Sequence, residues 1–235
     1  MISVVSYDIW RTLLKPDPAY APRRAELVAG YLGVSRCVST VAAALKEASS
    51  ELDAKMDETG EQFGFAPRIE LTAAKLGLAK PSADLIASLE ESVNDAHLEL
   101  APTLMEPNLV DLFVRHWDEG RMTAVISNTG ITSGKVLRDL LAVRGLLQYI
   151  DIALFSDEVG VAKPNEEIFV ELIKRAEVFA AEIVHVGDNR KADYAGATHA
   201  GLNALLYTGK EEPSDTVIAS HWDMFDTPLF AKAPA

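Results

Sequence analysis

The sequence predicts an α/β fold, in which a doubly wound parallel sheet forms the core and a smaller α-helical domain is inserted early in the chain. Two observations support this prediction. Short apolar runs alternate with segments whose apolar residues recur at helical spacing, which is typical of parallel strands covered by helices on both faces. More than a hundred residues separate the first apolar run from the second, and they contain helical patterns but no evident strand.

Five apolar runs are predicted to form buried strands, at residues 2–7, 122–127, 150–155, 183–186 and 203–207. Helical patterns lie before the second run, at residues 107–119, after the second run, at 137–144, and after the third run, at 168–173. Three more occupy the long gap, at residues 41–56, 67–76 and 83–100. A structureless loop of that length is uncommon within a compact domain. We therefore predict a core domain made of residues 1–15 and 102–235, and a helical domain at residues 16–101.

Composition limits the classes of function. Of the 235 residues, 49% are hydrophobic, which suffices for a packed core. The net charge of −13 argues against a protein that binds nucleic acid or anionic membranes in general. Cys37 is the only cysteine, so no intrachain disulfide can form, and a cytoplasmic setting is expected. The N-terminus does not resemble a signal peptide, and no apolar stretch approaches the roughly 20 residues of a membrane span.

Small polar and acidic residues follow three of the predicted strands. They are Asp8 after the first strand, Ser127, Asn128 and Thr129 at the end of the second, and Asp188 just beyond the fourth. A further segment, GVAKP at 160–164, places Lys163 just before a predicted helix. Ligands of an open parallel sheet bind beyond the carboxyl ends of its strands. We therefore expect these residues to meet at one edge of the sheet.

Taken together, these segments resemble the haloacid dehalogenase-like (HAD) hydrolase superfamily, in the subgroup with a helical cap after the first strand. The resemblance rests on four segments in the family's order: SYDIWRTLL, VISNTG, FSDEVGVAKPNEEIF and IVHVGDNRKADYAGATHAG. It implies a Rossmann-like core with an α-helical cap domain. The helical region 16–101 matches the family in position and character only.

This resemblance implies a hydrolase, and first of all a phosphatase that acts on a small, anionic phosphorylated metabolite. Asp8 would be the nucleophile that takes up the phosphoryl group as an aspartyl-phosphate. Ser127 would hydrogen-bond a transferring oxygen, and Lys163 would neutralise charge while holding Asp8. Positioning and charge neutralisation are the main requirements of phosphoryl transfer, and these groups offer both.

The resemblance also implies a bound Mg²⁺, since oxygen ligands suit this ion better than zinc. Its protein ligands would be Asp8, the backbone carbonyl of Trp10, Asp188 and Asp193. Substrate contacts are predicted for Trp10, Asn128 and Thr129. No nucleic-acid or membrane partner is expected, and the sequence does not indicate an oligomeric state.

Trp10 departs from the family's phosphatases, in which an Asp at this position usually protonates the leaving oxygen and later activates water. An indole is only a hydrogen-bond donor and can do neither. One alternative is therefore a 2-haloacid dehalogenase-type hydrolase that uses Asp8 without metal, because halide needs no proton to leave. A second is a catalytically impaired binding protein of the same fold. The retention of Asp188 and Asp193 favours the metal-dependent phosphatase.

Other interpretations of single residues remain open at this stage. Ser127 and Thr129 could simply cap a helix that begins near residue 131. His185 lies within an apolar run and is predicted to be a core or supporting residue rather than a catalytic base. Arg23 and Arg24 follow the first Pro-rich segment and could clamp an anionic substrate, although a solvent-exposed helix face is the favoured interpretation.

Overall fold

Six parallel strands form the main sheet of the computed structural model, which describes residues 1–34, 37–210 and 212–231. In spatial order they are β5 (Ile152–Phe155), β4 (Met122–Ser127), β1 (Val4–Tyr7), β6 (Ile183–Gly187), β7 (Asn203–Tyr207) and β8 (Val217–Ile218). The five strands predicted from apolar runs are all present, and the α/β prediction is confirmed. The sixth strand, β8, has two residues, too few to give a pattern in the sequence.

Helices cover both faces of this sheet. They are α5 (Leu109–Asp118) and α6 (Gly134–Val143) on one face, and α8 (Glu166–Ala176) and the short α9 (Gly196–His199) on the other. Strand β1 shows why two cores form, because successive side chains of a strand point to opposite faces. Val5 and Tyr7 belong to the cluster under α5 and α6, whereas Val4 belongs to the cluster under α8.

Four helices lie in the long gap between β1 and β4. They are α1 (Tyr20–Tyr31), α2 (Val38–Thr59), α3 (Phe65–Lys75) and α4 (Ala83–Glu99), and they share a hydrophobic cluster of their own. The sequence patterns anticipated the last three but not α1, because its first turn contains Pro22 and follows two further prolines. No helix within the described residues combines the length and apolar character that a membrane crossing requires.

The chain leaves the core for these helices through one short segment and returns through another, and the two segments pair with each other. A two-stranded antiparallel sheet joins β2 (Leu14–Lys15) to β3 (Thr103–Leu104), and the Met105 amide donates to the Leu13 carbonyl at 2.9 Å. This pairing anchors the inserted helices a few residues beyond Asp8. The division of the chain into domains at residues 16 and 101 stays a prediction.

The end of α2 and the residues after it also contact the loops at the carboxyl edge of the sheet. The Ala162 amide donates to the Gly60 carbonyl at 2.8 Å, and Gln62 Nε2 donates to the Thr129 carbonyl at 2.9 Å. Gly60 has a φ of +70°, and a Cβ there would approach Asn165 Cβ to 2.6 Å. Both the backbone conformation and the space therefore require glycine where the helices meet the core.

Candidate active site

Lys163 and Asp8 form the centre of the site, directly beyond the end of β1. The Lys163 Nζ lies 2.7 Å from Asp8 Oδ1, 2.7 Å from Asp193 Oδ1 and 2.6 Å from the carbonyl of Ile126. An ammonium has three hydrogens to donate, so these three acceptors satisfy it fully. Lys163 is only 1% exposed, and its charge is therefore held in a fixed position.

Asn128 fixes the backbone of Lys163. The Lys163 amide donates to Asn128 Oδ1 at 2.7 Å, and Asn128 Nδ2 donates to the Lys163 carbonyl at 2.8 Å. This pair of hydrogen bonds joins the loop after β4 to the loop that precedes α8. Asn128 thus orders the two loops, and it also lines the cavity at Asp8.

Three carboxylates converge beside this lysine. One oxygen each of Asp8, Asp188 and Asp193 lies within 4.8 Å of the others, with Asp8 and Asp193 buried and Asp188 partly exposed. Burial raises the pKa of Asp8 to about 7, and the charge of Asp193 adds to this effect while Lys163 opposes it. Burial and the charge of Asp193 raise the pKa of Asp188 to about 6. When ionised, the three carboxylates carry more negative charge than the single Lys163 neutralises.

Asp193 is the acid that stays ionised. Its Oδ1 contacts Lys163 and also His185 Nε2 at 3.2 Å, while its Oδ2 accepts the Asn189 amide hydrogen at 2.9 Å. Burial would raise the pKa of Asp193, but Lys163 and His185 outweigh it and hold that pKa well below its ordinary value. A Cβ on Gly187 would come within 2.3 Å of the Asp193 carboxyl, so glycine is needed for this close approach.

His185 supports this arrangement from within the core, as the sequence predicted. Its Nδ1 lies 3.0 Å from the hydroxyl of Ser6, and its side chain has no exposed surface. Burial lowers the pKa of His185, which keeps the ring neutral at pH 7. The ring therefore orients Asp193 and has no access to a substrate.

The structure brings most of the predicted site residues to one cavity of about 680 Å³. Those that line it are Asp8, Trp10, Asn128, Thr129, Lys163, Asp188 and Asp193. Ser127 is not among the lining residues. It is fully buried, and its hydroxyl lies 3.5 Å from the carbonyl of Asn128. Its predicted contact with a transferring oxygen therefore stays a prediction.

Thr129 reaches the cavity but its hydroxyl is already engaged. It lies 3.0 Å from the hydroxyl of Ser156 and accepts the amide hydrogen of Asp157, at the start of the short helix α7 (Ser156–Val159). The helix expected near residue 131 begins at Gly134, after the N-cap residue Ser133. The suggestion that Ser127 or Thr129 caps that helix is therefore wrong.

Trp10 lies in the turn after Asp8, at the boundary with the inserted helices. Its ring stacks on His97 of α4, with centroids 5.6 Å apart and planes at 9°. Arg11, next in the turn, has a φ of 62°. Its guanidinium lies 3.8 Å from Asp188 Oδ2 but is 80% exposed, so the pair contributes little to stability in water. The turn thus presents an aromatic ring, and not an acid, to the cavity.

Sequence reasoning missed the site residues that come from the inserted helices. Asp57 accepts a hydrogen bond from Asn189 Nδ2 at 2.9 Å, Gln62 contacts Thr129, and His97 stacks on Trp10. Each is an isolated polar residue on a helix or just after one, with no local motif to distinguish it from a solvated face. Their roles depend on how the helices sit over the sheet.

Known proteins resemble this chain in sequence. A family model described as haloacid dehalogenase-like hydrolase matches residues 107–201. The haloacid dehalogenase-like hydrolase domain-containing protein 3 of Mus musculus is 37% identical over 42% of this chain. The glyceraldehyde 3-phosphate phosphatase of Methanopyrus kandleri is 30% identical over 65% of this chain. These matches span 38% and 64% of the two relatives' own lengths.

The fold has close structural neighbours. The putative HAD-hydrolase YfnB from Bacillus subtilis, whose crystal structure is described as bound to magnesium, superposes with a TM-score of 0.73. The match covers 96% of this chain and 97% of that one, at 16% sequence identity. At this identity the likeness shows the fold, inserted helices included.

Proposed function

The chain belongs to the haloacid dehalogenase-like hydrolase superfamily, and from that premise we propose that it is a Mg²⁺-dependent phosphatase of a small phosphorylated metabolite, with Asp8 as nucleophile. The observation that carries the proposal is the cluster of Asp8, Asp188 and Asp193 around Lys163. The glyceraldehyde 3-phosphate phosphatase of Methanopyrus kandleri supports it, because this relative is 30% identical over 65% of the chain.

The three acids fit a magnesium ion. Their donors are carboxylate oxygens, which Mg²⁺ prefers, and the predicted carbonyl of Trp10 would add a fourth oxygen. The raised pKa values of Asp8 and Asp188 reflect burial and mutual repulsion, and a divalent cation relieves the repulsion. When bound, Mg²⁺ supplies the positive charge that allows a carboxylate and a phosphate to approach each other.

Asp8 performs the covalent step. Lys163 holds Asp8 Oδ1, which leaves Oδ2 to attack phosphorus. A bond forms between Oδ2 and phosphorus, and the bond from phosphorus to the ester oxygen breaks, with its electron pair leaving on that oxygen. Water then attacks the aspartyl-phosphate, which releases inorganic phosphate and restores the carboxylate. The fixed charge of Lys163 stabilises both transfers.

Trp10 determines which esters react well. No acid stands at its position, so the leaving oxygen departs as its anion or takes a proton from water. General acid catalysis is typically worth about 10²–10⁴ in rate. Esters whose leaving groups are stable as anions avoid this penalty, and they are the favoured substrates.

Phosphate release should therefore depend on Mg²⁺ and on the leaving group. With Mg²⁺, we expect p-nitrophenyl phosphate to be hydrolysed at least about 100-fold faster than ethyl phosphate, a factor that reflects the absent acid. Chelator should abolish both activities. A colorimetric phosphate assay, with and without chelator, measures this directly. Release that survives chelation, or no release with either ester, would contradict the proposal.

Dehalogenation of a 2-haloacid is the second candidate, because Trp10 is compatible with a leaving group that needs no proton. Halide displacement by Asp8 requires no metal. Incubation with 2-chloropropionate therefore distinguishes the two activities: chloride release that ignores chelator, without any phosphate release, would favour dehalogenation over the phosphatase.

Magnesium binding itself should weaken as the pH falls. Asp8 and Asp188 have pKa values raised to about 7 and about 6, so both carry protons at pH 5 that a metal must displace. We expect the apparent Mg²⁺ affinity, measured by calorimetry, to fall at least about tenfold between pH 8 and pH 5. An affinity that does not change over this range would show that the ion does not bind these two carboxylates.

A further inference from the structure

We infer that a second cavity, beside the one that contains Asp8, receives the leaving group of the phosphate ester and selects leaving groups that carry a carboxylate. The inference rests on the proposed function, because it assigns to this cavity the part of the substrate that the phosphatase releases. It identifies Arg24 as the residue that determines specificity.

The second cavity has a volume of about 360 Å³ and lies between the inserted helices and the core. It shares four lining residues with the cavity at the acid cluster: Trp10, Asp53, Asn128 and Gly130. The two cavities therefore adjoin each other. A phosphate at Asp8 would place its organic part at this shared wall, and the volume suits a compact group rather than a polymer.

One wall of the second cavity is aromatic. Tyr20 stacks on His97 with centroids 3.7 Å apart, and His97 stacks on Trp10 at 5.6 Å, so three nearly parallel rings form a column. Burial and the nearby Arg24 lower the pKa of His97 to about 4, so this ring is neutral at pH 7. The three rings line the cavity without adding charge, which suits the carbon part of a ligand.

Four buried polar atoms at this cavity lack a hydrogen-bond partner within the described parts of the chain: Tyr20 Oη, Arg24 Nε, Ser49 Oγ and His97 Nε2. His97 is only 2% exposed. Leaving a buried donor or acceptor without a hydrogen bond is unfavourable. Four such atoms around one space, on α1, α2 and α4, indicate a ligand that completes their hydrogen bonds. Arg24 Nε can only donate, and the two hydroxyls, as well as His97 Nε2 in one tautomer, can also donate, so a ligand with acceptor oxygens can satisfy all four atoms.

The lining of the cavity carries two arginines and two acids, and one of the arginines, Arg24, is paired with neither acid. Arg68 is paired with Asp53 at 2.7 Å, and Asp17, the remaining acid of the lining, accepts the Ala19 amide hydrogen at 2.8 Å. Arg24 forms no ion pair among the residues that the structure describes. Its Cζ lies over the ring of Tyr20, 5.3 Å from the ring centroid. An unpaired guanidinium beside neutral donors matches a carboxylate, which it can bind through two parallel hydrogen bonds.

Two aryl esters test this inference, because they differ in charge but have similar leaving groups. Wild-type protein with Mg²⁺ should hydrolyse 3- or 4-carboxyphenyl phosphate with a kcat/KM at least about tenfold above that of phenyl phosphate. Arg24→Gln should lower the ratio of the two kcat/KM values to about one, and Arg24→Lys should retain part of the preference. Arg23→Gln is the matched control, since Arg23 lies next to Arg24 on the same helix but is exposed and paired with Glu26.

A binding measurement separates this inference from the phosphatase itself. Calorimetric titration with 3- or 4-hydroxybenzoate, and with phenol as the uncharged reference, requires no turnover. Affinity for the carboxylate that falls about tenfold in Arg24→Gln but not in Arg23→Gln supports the subsite, even if neither ester is hydrolysed. Equal affinity in both variants, or a wild-type protein without preference for the carboxylated ester, overturns it.

Discussion

Replacing Asp8 by asparagine is expected to abolish phosphate release and, at the same time, to raise the melting temperature of the metal-free protein above pH 7. The loss of activity follows because an amide cannot form an aspartyl-phosphate. The gain in stability follows from burial. The Asp8 carboxylate is desolvated next to two other acids, and its pKa is raised from 3.8 to about 7.

The sign of the stability effect follows from proton linkage. The folded protein binds a proton at Asp8 more tightly than the unfolded chain does, so stability declines as the pH rises from about 4 to about 7. Above pH 7 the ionised carboxylate costs at most about 4 kcal/mol at 1.36 kcal/mol for each pKa unit. Asp8→Asn also removes one of the two carboxylates paired with Lys163, and this loss offsets part of the gain. We therefore expect the free energy of unfolding to rise by about 1–3 kcal/mol and the melting temperature by several degrees. The gain should disappear at pH 4.

Asp193→Asn is the matched comparison, because the same physics predicts the opposite sign. Lys163, His185 and the Asn189 amide hold Asp193 in its charged form, and its pKa lies well below the ordinary value. Removing one partner of a buried, hydrogen-bonded ion pair costs about 3–5 kcal/mol. Thermal unfolding in chelator at pH 8 measures both variants. A lowered melting temperature for Asp8→Asn would show that the Asp8 carboxylate stabilises the fold, and that negative charge is not in excess at the site.

The core of the site was predictable from the sequence because its residues stand at strand ends. Asp8 directly follows a mostly apolar run, Asp188 follows another after one glycine, and Lys163 lies between a turn and a helix start. The rules for parallel sheets bring such positions to one edge. Each side chain is then attached to backbone whose position is fixed by strand pairing, as β1 is between β4 and β6.

The remainder depended on packing that no local pattern encodes. Arg23 and Arg24 are neighbours in sequence with the same chemistry, yet one is exposed and the other lines a cavity. The difference arises because successive residues of a helix point about 100° apart around its axis. The start of α1 could not be predicted, because prolines lie before it and in its first turn. His97 similarly lies on α4, and its role arises only when α4 is packed against the turn that contains Trp10.

Replacing Trp10 by aspartate is expected to relieve the dependence on the leaving group. An aspartic acid two residues after the nucleophile can donate a proton to the leaving oxygen. Such general acid catalysis typically increases the rate by a factor of about 10²–10⁴. The kcat/KM of ethyl phosphate should therefore rise at least about tenfold relative to that of p-nitrophenyl phosphate, whose leaving group needs no acid. The ratio is informative because both esters are affected equally by any general loss of stability.

Trp10→Phe serves as the control, since it keeps an aromatic ring against His97 without providing a proton. Its ratio of ethyl to p-nitrophenyl activity should equal that of the wild type. If Trp10→Asp keeps Mg²⁺-dependent aryl turnover while the ratio stays unchanged, the leaving oxygen already receives its proton from another group or from water. A raised ratio would instead show that the residue at position 10 determines the range of esters. An acid there allows poor leaving groups to react, whereas the Trp10 indole does not and instead packs against His97 of the inserted helices.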